Sequence, residues 1–161
     1  MGAGKSTVAG VLSQKLELPL LDLDTEIEKH TGKKVAQIIL NQGELYFRKL
    51  ERALLEELLQ KPSFVMSLGG GTPCYYDNMQ LINQKAVSVY LKLSVKELYQ
   101  RLEGTQSARP LIAAFSGQDL LEYIGKHLFE RSHFYEDAIY TLPFHDQFPK
   151  EIAQEIIEKV R

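Results

Sequence analysis

Residues 2–7 of the chain read Gly-Ala-Gly-Lys-Ser-Thr, the second half of the phosphate-binding loop G-x-x-x-x-G-K-[ST]. In such a loop the glycines let several backbone N–H groups point at phosphate oxygens, and the following helix directs its positive end to the same place. Lys5 would reach the β- and γ-phosphates of a nucleotide, and the Ser6 hydroxyl would ligate Mg²⁺. The alternative is a glycine-rich tail before an ordinary helix, which the spacing disfavours. The candidate nucleotide-binding residues are Gly2, Ala3, Gly4, Lys5, Ser6 and Thr7.

The first half of this pattern lies outside the sequence. Its first glycine, and the strand that normally leads into the loop, would precede Met1. A phosphate loop without its strand would have one end unanchored. We therefore expect the natural protein to extend upstream by one short strand, roughly 5–10 residues long.

Two carboxylates, Asp22 and Asp24, end the apolar segment 18–24 (LPLLDLD), which we predict to be a β-strand. At positions i and i+2 of a strand, their side chains would lie on the same side of the sheet. The carboxyl end of a strand opens onto the ligand crevice of a parallel α/β sheet. Paired acids there suit metal coordination through water, binding of a substrate hydroxyl, or removal of a proton from a hydroxyl. The alternative is a solvated strand end, with Asp24 or Thr25 capping the next helix.

Arg48 lies on a predicted helix in the segment ELYFRKLE, and Glu51 is close enough in sequence to orient its guanidinium group. The alternative for this arginine is a surface charge paired with its helix neighbour. Farther along the chain, Gly69, Gly70 and Gly71 follow an apolar run. Consecutive glycines expose backbone N–H groups and allow a ligand to come very close, although they could also form a simple turn.

Two further arginines lie in the C-terminal half of the chain. Arg109 belongs to residues 104–117, a Gly/Ser/Ala-rich segment that we predict to be a loop or lid. A lid arginine can neutralise charge on a transferring phosphoryl group and help to exclude water. Arg131 lies near the end of the next predicted helix. A solvated surface role is the default for both arginines.

The elements that must position these residues alternate between helix-period and strand-like patterns. This alternation predicts an α/β fold with a mostly parallel sheet. Helical patterns cover residues 5–16, 35–41, 44–60, 77–84, 95–102 and 120–139, and Pro149 opens a last helix. Strand-like runs cover residues 18–24, 64–68, 87–93 and 140–142.

Length and composition fit a single soluble domain over residues 1–161, with 44% apolar and 25% charged residues. They exclude collagen-like, disulfide-scaffold and strongly disordered chains, and no apolar run is long enough to span a membrane. The formal net charge of −2 provides no global basic field, which argues against nucleic acid as the main partner. Cys74 is the single cysteine, which favours a reducing cytoplasm. Neither it nor the histidines show zinc-ligand spacing, so we interpret it as a packing residue.

In chain order, the motifs GAGKST, DLD, FRKLE, GGG, the RPL lid and ERxxxY resemble shikimate kinase along essentially the whole chain. Each later motif is weak by itself, but DLD, FRxxE and GGG together distinguish this family from other small P-loop kinases. The resemblance implies a three-layer P-loop kinase fold with a central five-stranded parallel sheet, helices on both faces and a lid. It implies a monomer that transfers the γ-phosphoryl group of ATP to the 3-hydroxyl of shikimate, on the pathway to chorismate and the aromatic amino acids.

The same resemblance implies a role for each motif residue. The lid would be at about residues 104–117, and the shikimate-binding region at about residues 24–61. The nucleotide side would comprise the loop residues 2–7, Ser6 and Asp22 for Mg²⁺, Arg109 on the transferring phosphate, and Arg101 and Pro149 near the adenine. The acceptor side would comprise Asp24 on the shikimate hydroxyls as proton acceptor, Arg48 and Arg131 on the carboxylate, and Gly69, Gly70 and Gly71 on the ring.

Two other functions remain open from the sequence. One is a kinase of a different small metabolite, such as gluconate or a nucleoside monophosphate. The discriminating feature is the pair Arg48 and Arg131, because two arginines call for an acceptor that bears a carboxylate. The other is a nucleotide-binding regulatory module without catalysis, which the presence of Asp24 and Arg109 disfavours.

Overall fold

Helices and short strands alternate along the chain in this computed structural model, which describes residues 2–105, 112–145 and 147–160. The helices are α1 (Lys5–Leu16), α2 (Leu23–Thr31), α3 (Val35–Gln42), α4 (Glu44–Leu58), α5 (Asn78–Lys85), α6 (Val95–Leu102), α7 (Gly117–Glu136) and α8 (Pro149–Val160). The strands are β1 (Leu20–Asp22), β2 (Val65–Ser67), β3 (Val89–Lys92) and β4 (Tyr140–Pro143), and a 3-10 turn covers Thr72–Cys74. None of the described helices is long and apolar enough to cross a membrane.

The four described strands form two parallel pairs. β1 pairs with β2, and Asp22 at the end of one strand lies opposite Ser67 at the end of the other. β3 pairs with β4, with Val89 opposite Tyr140. Parallel pairing brings the carboxyl ends of neighbouring strands to one edge, where ligands bind in open α/β sheets. The mixed helices and parallel strands confirm the predicted fold class.

A cavity of about 520 Å³ separates the two strand pairs. Both β2 and β3 line it, through residues such as Met66 and Leu91, and helices α1, α5 and α8 contribute further apolar side chains such as Leu12. The hydrophobic core is correspondingly divided into two clusters, one around α1, β3 and α6–α8, and the other around β1 and α2–α5. The described part of the chain therefore has four strands in two pairs with an apolar space between them, whereas the resemblance implies one five-stranded sheet.

The predicted strand over residues 18–24 was too long at its carboxyl end. β1 stops at Asp22, whose Oδ1 accepts a hydrogen bond from the Thr25 backbone N–H at 3.1 Å and so caps α2. Asp24 lies in the first helical turn and not on a strand. The prediction that both acids share one side of a strand was therefore wrong, as was the choice of Asp24 or Thr25 as the cap.

Most other boundaries agree with the sequence patterns. The structure reproduces the predicted limits of α1 and α6, and α8 begins at Pro149. Helix α7 begins at Gly117, earlier than its apolar pattern indicated. The predicted lid falls partly outside the described residues, because 106–111 are not among them.

Candidate active site

The glycine-rich segment forms a tight turn at the amino end of α1. Gly2 and Gly4 have φ angles of 72° and 79°, in the left-handed region that glycine adopts without strain. A Cβ atom at Gly2 would lie 3.0 Å from the Leu102 side chain, so this position has little room for any other residue. The backbone N–H groups at the start of α1 and the positive end of its dipole therefore meet at this turn, as an anion site requires.

One cleft of about 310 Å³ unites the predicted phosphate loop with the two acids. Its lining consists of residues 2–7, Asp22, Asp24 and residues 67–70. Across the cleft, the Ser6 hydroxyl lies 3.3 Å from the hydroxyl of Ser67, at the end of β2. The structure thus brings together residues that are more than 60 positions apart in the sequence.

Asp24 is a partly buried carboxylate of this cleft with several charged residues around it. Burial raises its pKa, and the negative charges of Asp22 and Glu51 raise it further, while Arg48 lowers it. A Cβ atom at Gly69 would lie 3.3 Å from Asp24 Oδ1, so the carboxylate lies against the glycine backbone. A half-buried acid with its pKa raised by these causes is suited to accept a proton.

Arg48 is buried, with only 8% of its surface exposed. Its Nη1 donates to both carboxylate oxygens of Glu51, at 3.2 and 2.9 Å. Glu51 is 1% exposed and also accepts a hydrogen bond from the Thr72 hydroxyl at 2.8 Å. The interpretation of Arg48 as a surface charge was therefore wrong, because α4 and the turn after the glycines hold it inside the protein.

The three glycines lie between this arginine and α7. A Cβ atom at Gly71 would come within 2.3 Å of Arg48 Nη2, so the guanidinium group packs directly on the glycine backbone. The Gly70 carbonyl accepts a hydrogen bond from the Tyr135 hydroxyl at 2.6 Å, which attaches α7 to the same segment. These two contacts argue against the alternative that the three glycines only form a simple turn.

Arg131 lies one helical turn before Tyr135 on α7 and is partly buried. Its positive charge acts on Glu44, the residue that pairs with Arg48. The pKa of Glu44 is lowered by a hydrogen bond from Tyr75, then by Arg48, and also by Arg131. The positive charges of Arg48 and Arg131 therefore both act on Glu44.

Arg101 connects the phosphate loop with the segment before α8. Its Nη2 donates to the His145 carbonyl at 3.0 Å, and its Cζ lies 5.0 Å from the centre of the Phe144 ring. Its Nη1 would be 3.8 Å from a Cβ atom at Gly4. Pro149 follows this segment as the first residue of α8. Arg109 lies outside the described residues.

Several residues of the site were not identified from the sequence. Thr72 and Tyr75 reach Glu51 and Glu44 from more than 20 positions away, and no local pattern indicates such contacts. Glu44 is different, because it lies four residues before Arg48 on the same helix, a spacing at which opposite charges pair. That signal was available in the sequence.

A glycine-rich phosphate loop at a helix amino end, with two acids in the adjoining cleft and a buried arginine acting on one of them, in a parallel α/β fold, defines a P-loop kinase of small molecules. The family model for shikimate kinase matches residues 1–161. The chain belongs to this family.

Relatives and solved structures agree with this assignment over nearly the full chain. A shikimate kinase of Flavobacterium johnsoniae is 44% identical over 160 residues, which cover 98% of this chain and 93% of that protein. The crystal structure of shikimate kinase from Bacteroides thetaiotaomicron superposes with a TM-score of 0.90 and 33% identity, covering 99% of this chain and 93% of the other. Shikimate kinase from Acinetobacter baumannii, solved in complex with shikimate, gives a TM-score of 0.87 and 32% identity, covering 99% and 88%.

Proposed function

We propose that this protein transfers the γ-phosphoryl group of ATP to the 3-hydroxyl of shikimate, a step toward chorismate and the aromatic amino acids. One observation carries the proposal beyond family membership: the charge of the buried Arg48 acts on Asp24, which shares a cleft with the phosphate loop, and Arg131 acts on Glu44, an ion-pair partner of Arg48. An acceptor held by its carboxylate at the arginines could present a hydroxyl to Asp24. The relative from Acinetobacter baumannii, whose structure contains shikimate, supports this choice of acceptor.

On the nucleotide side, the backbone of residues 2–7 and the side chain of Lys5 bind the phosphates of ATP in this proposal. Ser6 and Asp22 would hold Mg²⁺, which would supply positive charge to the phosphate oxygens. The donor set fits such an ion, because hydroxyl and carboxylate oxygens are its preferred ligands. Asp22 also raises the pKa of Asp24, a secondary cause after burial, so a cation here would relieve repulsion between two acids.

On the acceptor side, Asp24 accepts the proton of the attacking hydroxyl as the new bond to phosphorus forms. Arg48 and Arg131 orient the substrate through its carboxylate, because a guanidinium fork matches a planar anion. Gly69, Gly70 and Gly71 leave room for the ring to approach the backbone. Positioning and charge stabilisation are the main requirements of phosphoryl transfer, and these residues provide both.

The remaining nucleotide contacts are assigned by motif and position. Arg109, in the lid, neutralises charge on the transferring phosphate. Arg101 and Pro149 flank the adenine, and the contacts of Arg101 with both the 144–145 segment and the region of Gly4 support this placement. We also propose that the enzyme is a cytoplasmic monomer, and size-exclusion chromatography with light scattering would test the oligomeric state.

An acceptor panel tests the proposed function. The purified protein is assayed for ADP release from ATP with Mg²⁺ in the presence of shikimate, gluconate or a nucleoside monophosphate. We expect ADP release with shikimate alone, and none when Mg²⁺ is chelated. Release with gluconate or a nucleotide instead would favour a different kinase. ATP binding without ADP release for any acceptor would favour a regulatory nucleotide-binding module.

A further inference from the structure

The guanidinium group of Arg48 is only partly satisfied in this structure. Its Nη1 is engaged by Glu51, and its Nη2 donates to Glu44 Oε1 at 3.1 Å. Its Nε is buried and has no hydrogen-bond partner among the described residues. An unpaired buried donor is unfavourable, and Nε with Nη2 forms the fork that a planar carboxylate accepts with both oxygens. Of the two donors of this fork, Nη2 is therefore occupied, whereas Nε has no partner among the described residues.

The occupied donor, Nη2, binds the carboxylate of Glu44, which lies at the protein surface. The side chain of Glu44 is 50% exposed, whereas that of Arg48 is 9% exposed. The Tyr75 hydroxyl donates to the same Oε1 atom at 2.8 Å, and the Tyr75 ring lies 4.3 Å from Arg48 Cζ. The positive charges of Arg48 and Arg131 both attract the Glu44 carboxylate, and they would attract the carboxylate of a ligand in the same way.

We propose that Glu44 is an internal competitor for the substrate carboxylate. In the ligand-free protein it occupies Nη2 of Arg48 with the help of Tyr75. An incoming carboxylate replaces it and satisfies Nε and Nη2 together, and Glu44 moves back toward solvent. The inference rests on the proposed function, because it assigns the substrate carboxylate to Arg48. A ligand without a negative charge would gain nothing by this exchange, so the device favours acids over neutral analogues.

Steady-state kinetics of Glu44→Gln test the competition. Removing the internal carboxylate should lower KM for shikimate roughly two- to fivefold, the effect of losing a partly exposed ion pair, and change kcat less than KM. Isothermal titration with shikimate should show the same change in Kd. Glu57→Gln removes an equal charge from an exposed position near the other end of α4 and should leave KM unchanged. The methyl ester of shikimate, which has no carboxylate, should bind wild type and Glu44→Gln equally.

Tyr75→Phe separates displacement of Glu44 from a general effect of charge. This variant keeps the ring against Arg48 and every charge, and it removes the hydroxyl that donates to Glu44. We expect a smaller decrease of KM in the same direction. A KM that rises or stays constant in Glu44→Gln overturns the proposal, because Glu44 would then support Arg48 or have no influence on it. A decrease in Glu44→Gln without any in Tyr75→Phe also overturns it. Wild-type protein without shikimate-dependent ADP release would instead overturn the proposed function.

Discussion

Asp24 carries the chemical step in the proposed function, and its environment leads to a prediction about one substitution. Asp24→Asn should reduce kcat by about 10²–10⁴-fold, the usual contribution of a general base, while ATP affinity stays constant. Burial, the first cause of its raised pKa, disfavours the charged form, so the uncharged amide should leave thermal stability equal or higher. Coupled ADP release, nucleotide titration and a melting curve give the three readouts.

The pH profile of the wild-type enzyme follows from the same group. The base acts in its deprotonated form, and a pKa raised above the ordinary aspartate value moves the acid limb of kcat upward. Activity should therefore decline as the pH falls through this raised pKa. Near-normal turnover in Asp24→Asn would remove this residue from the role of base.

The two arginines should differ when each is replaced by alanine, although both should raise KM for shikimate. Arg131→Ala removes a partly exposed charge, and we expect the fold to tolerate it. Arg48→Ala leaves the buried Glu51 without its ion-pair partner, which typically costs about 3–5 kcal/mol in the free energy of unfolding. Urea unfolding together with shikimate kinetics distinguishes the two variants. Unchanged shikimate affinity in both would contradict the carboxylate assignment.

Gly71 and Gly10 offer a matched pair of alanine substitutions. A methyl group at Gly71 would overlap Arg48 Nη2, so Gly71→Ala should displace the guanidinium and raise KM for shikimate. Gly10 lies within α1, where a Cβ atom would meet nothing within 4 Å, and Gly10→Ala should stabilise the protein by about 0.5–1 kcal/mol without changing KM. Equal KM values for both variants would show that Gly71 is not needed for the position of Arg48.

At the level of helices and strands, local signals decided which boundaries could be predicted. Helix α6 begins at a capping box and α8 at a proline, and both signals are visible in the sequence. The end of β1 could not be located, because LLDLD alternates like a strand while Asp22 also caps the next helix. The burial of Arg48 was hidden for a related reason: the Thr72 hydroxyl that binds its partner Glu51 comes from a distant turn.

The capping box of α6 provides a test of one such local signal. Ser94 Oγ accepts from the Glu97 backbone N–H at 3.3 Å, and the Glu97 carboxylate accepts from the Ser94 N–H at 2.7 Å. Ser94→Ala should lower the free energy of unfolding by about 0.5–2 kcal/mol. Ser116 stands at the same position of α7 without a side-chain capping bond, so Ser116→Ala should stay within about 0.5 kcal/mol of wild type. Equal losses in urea unfolding would mean that the box does not stabilise α6.

The same box makes part of the stability depend on pH. Hydrogen bonds from Ser94, and then from His145, lower the pKa of Glu97 to about 2, below its ordinary value of 4.5. A carboxylate with a lowered folded-state pKa stabilises the protein above its ordinary pKa. This contribution should disappear as the pH falls from 4.5 toward 2, and Ser94→Ala should weaken that dependence.

For the whole molecule, the sequence indicated the residues that line the cleft better than the sheet that supports them. Motifs such as GAGKST and GGG can be recognised in the sequence because each lies within one short segment of fixed spacing. The space between β2 and β3 has no such signature, since it is formed by side chains from several separate elements. Its mostly apolar lining leaves β2 and β3 each without a strand neighbour, among the described residues, on the side that faces this space.

An added strand should fill this space and stabilise both halves of the core. A strand buried between parallel neighbours is apolar on both faces, so a four-residue Val/Ile extension placed directly before Gly2 is the appropriate addition. Burial of these aliphatic side chains should raise the free energy of unfolding. ATP affinity should also increase, because the added strand would lead directly into the phosphate loop. A Ser/Gly extension of equal length is the control, since it adds chain without apolar surface. If both extensions gave the same unfolding curve and the same ATP affinity, the cavity would not be a position for a strand.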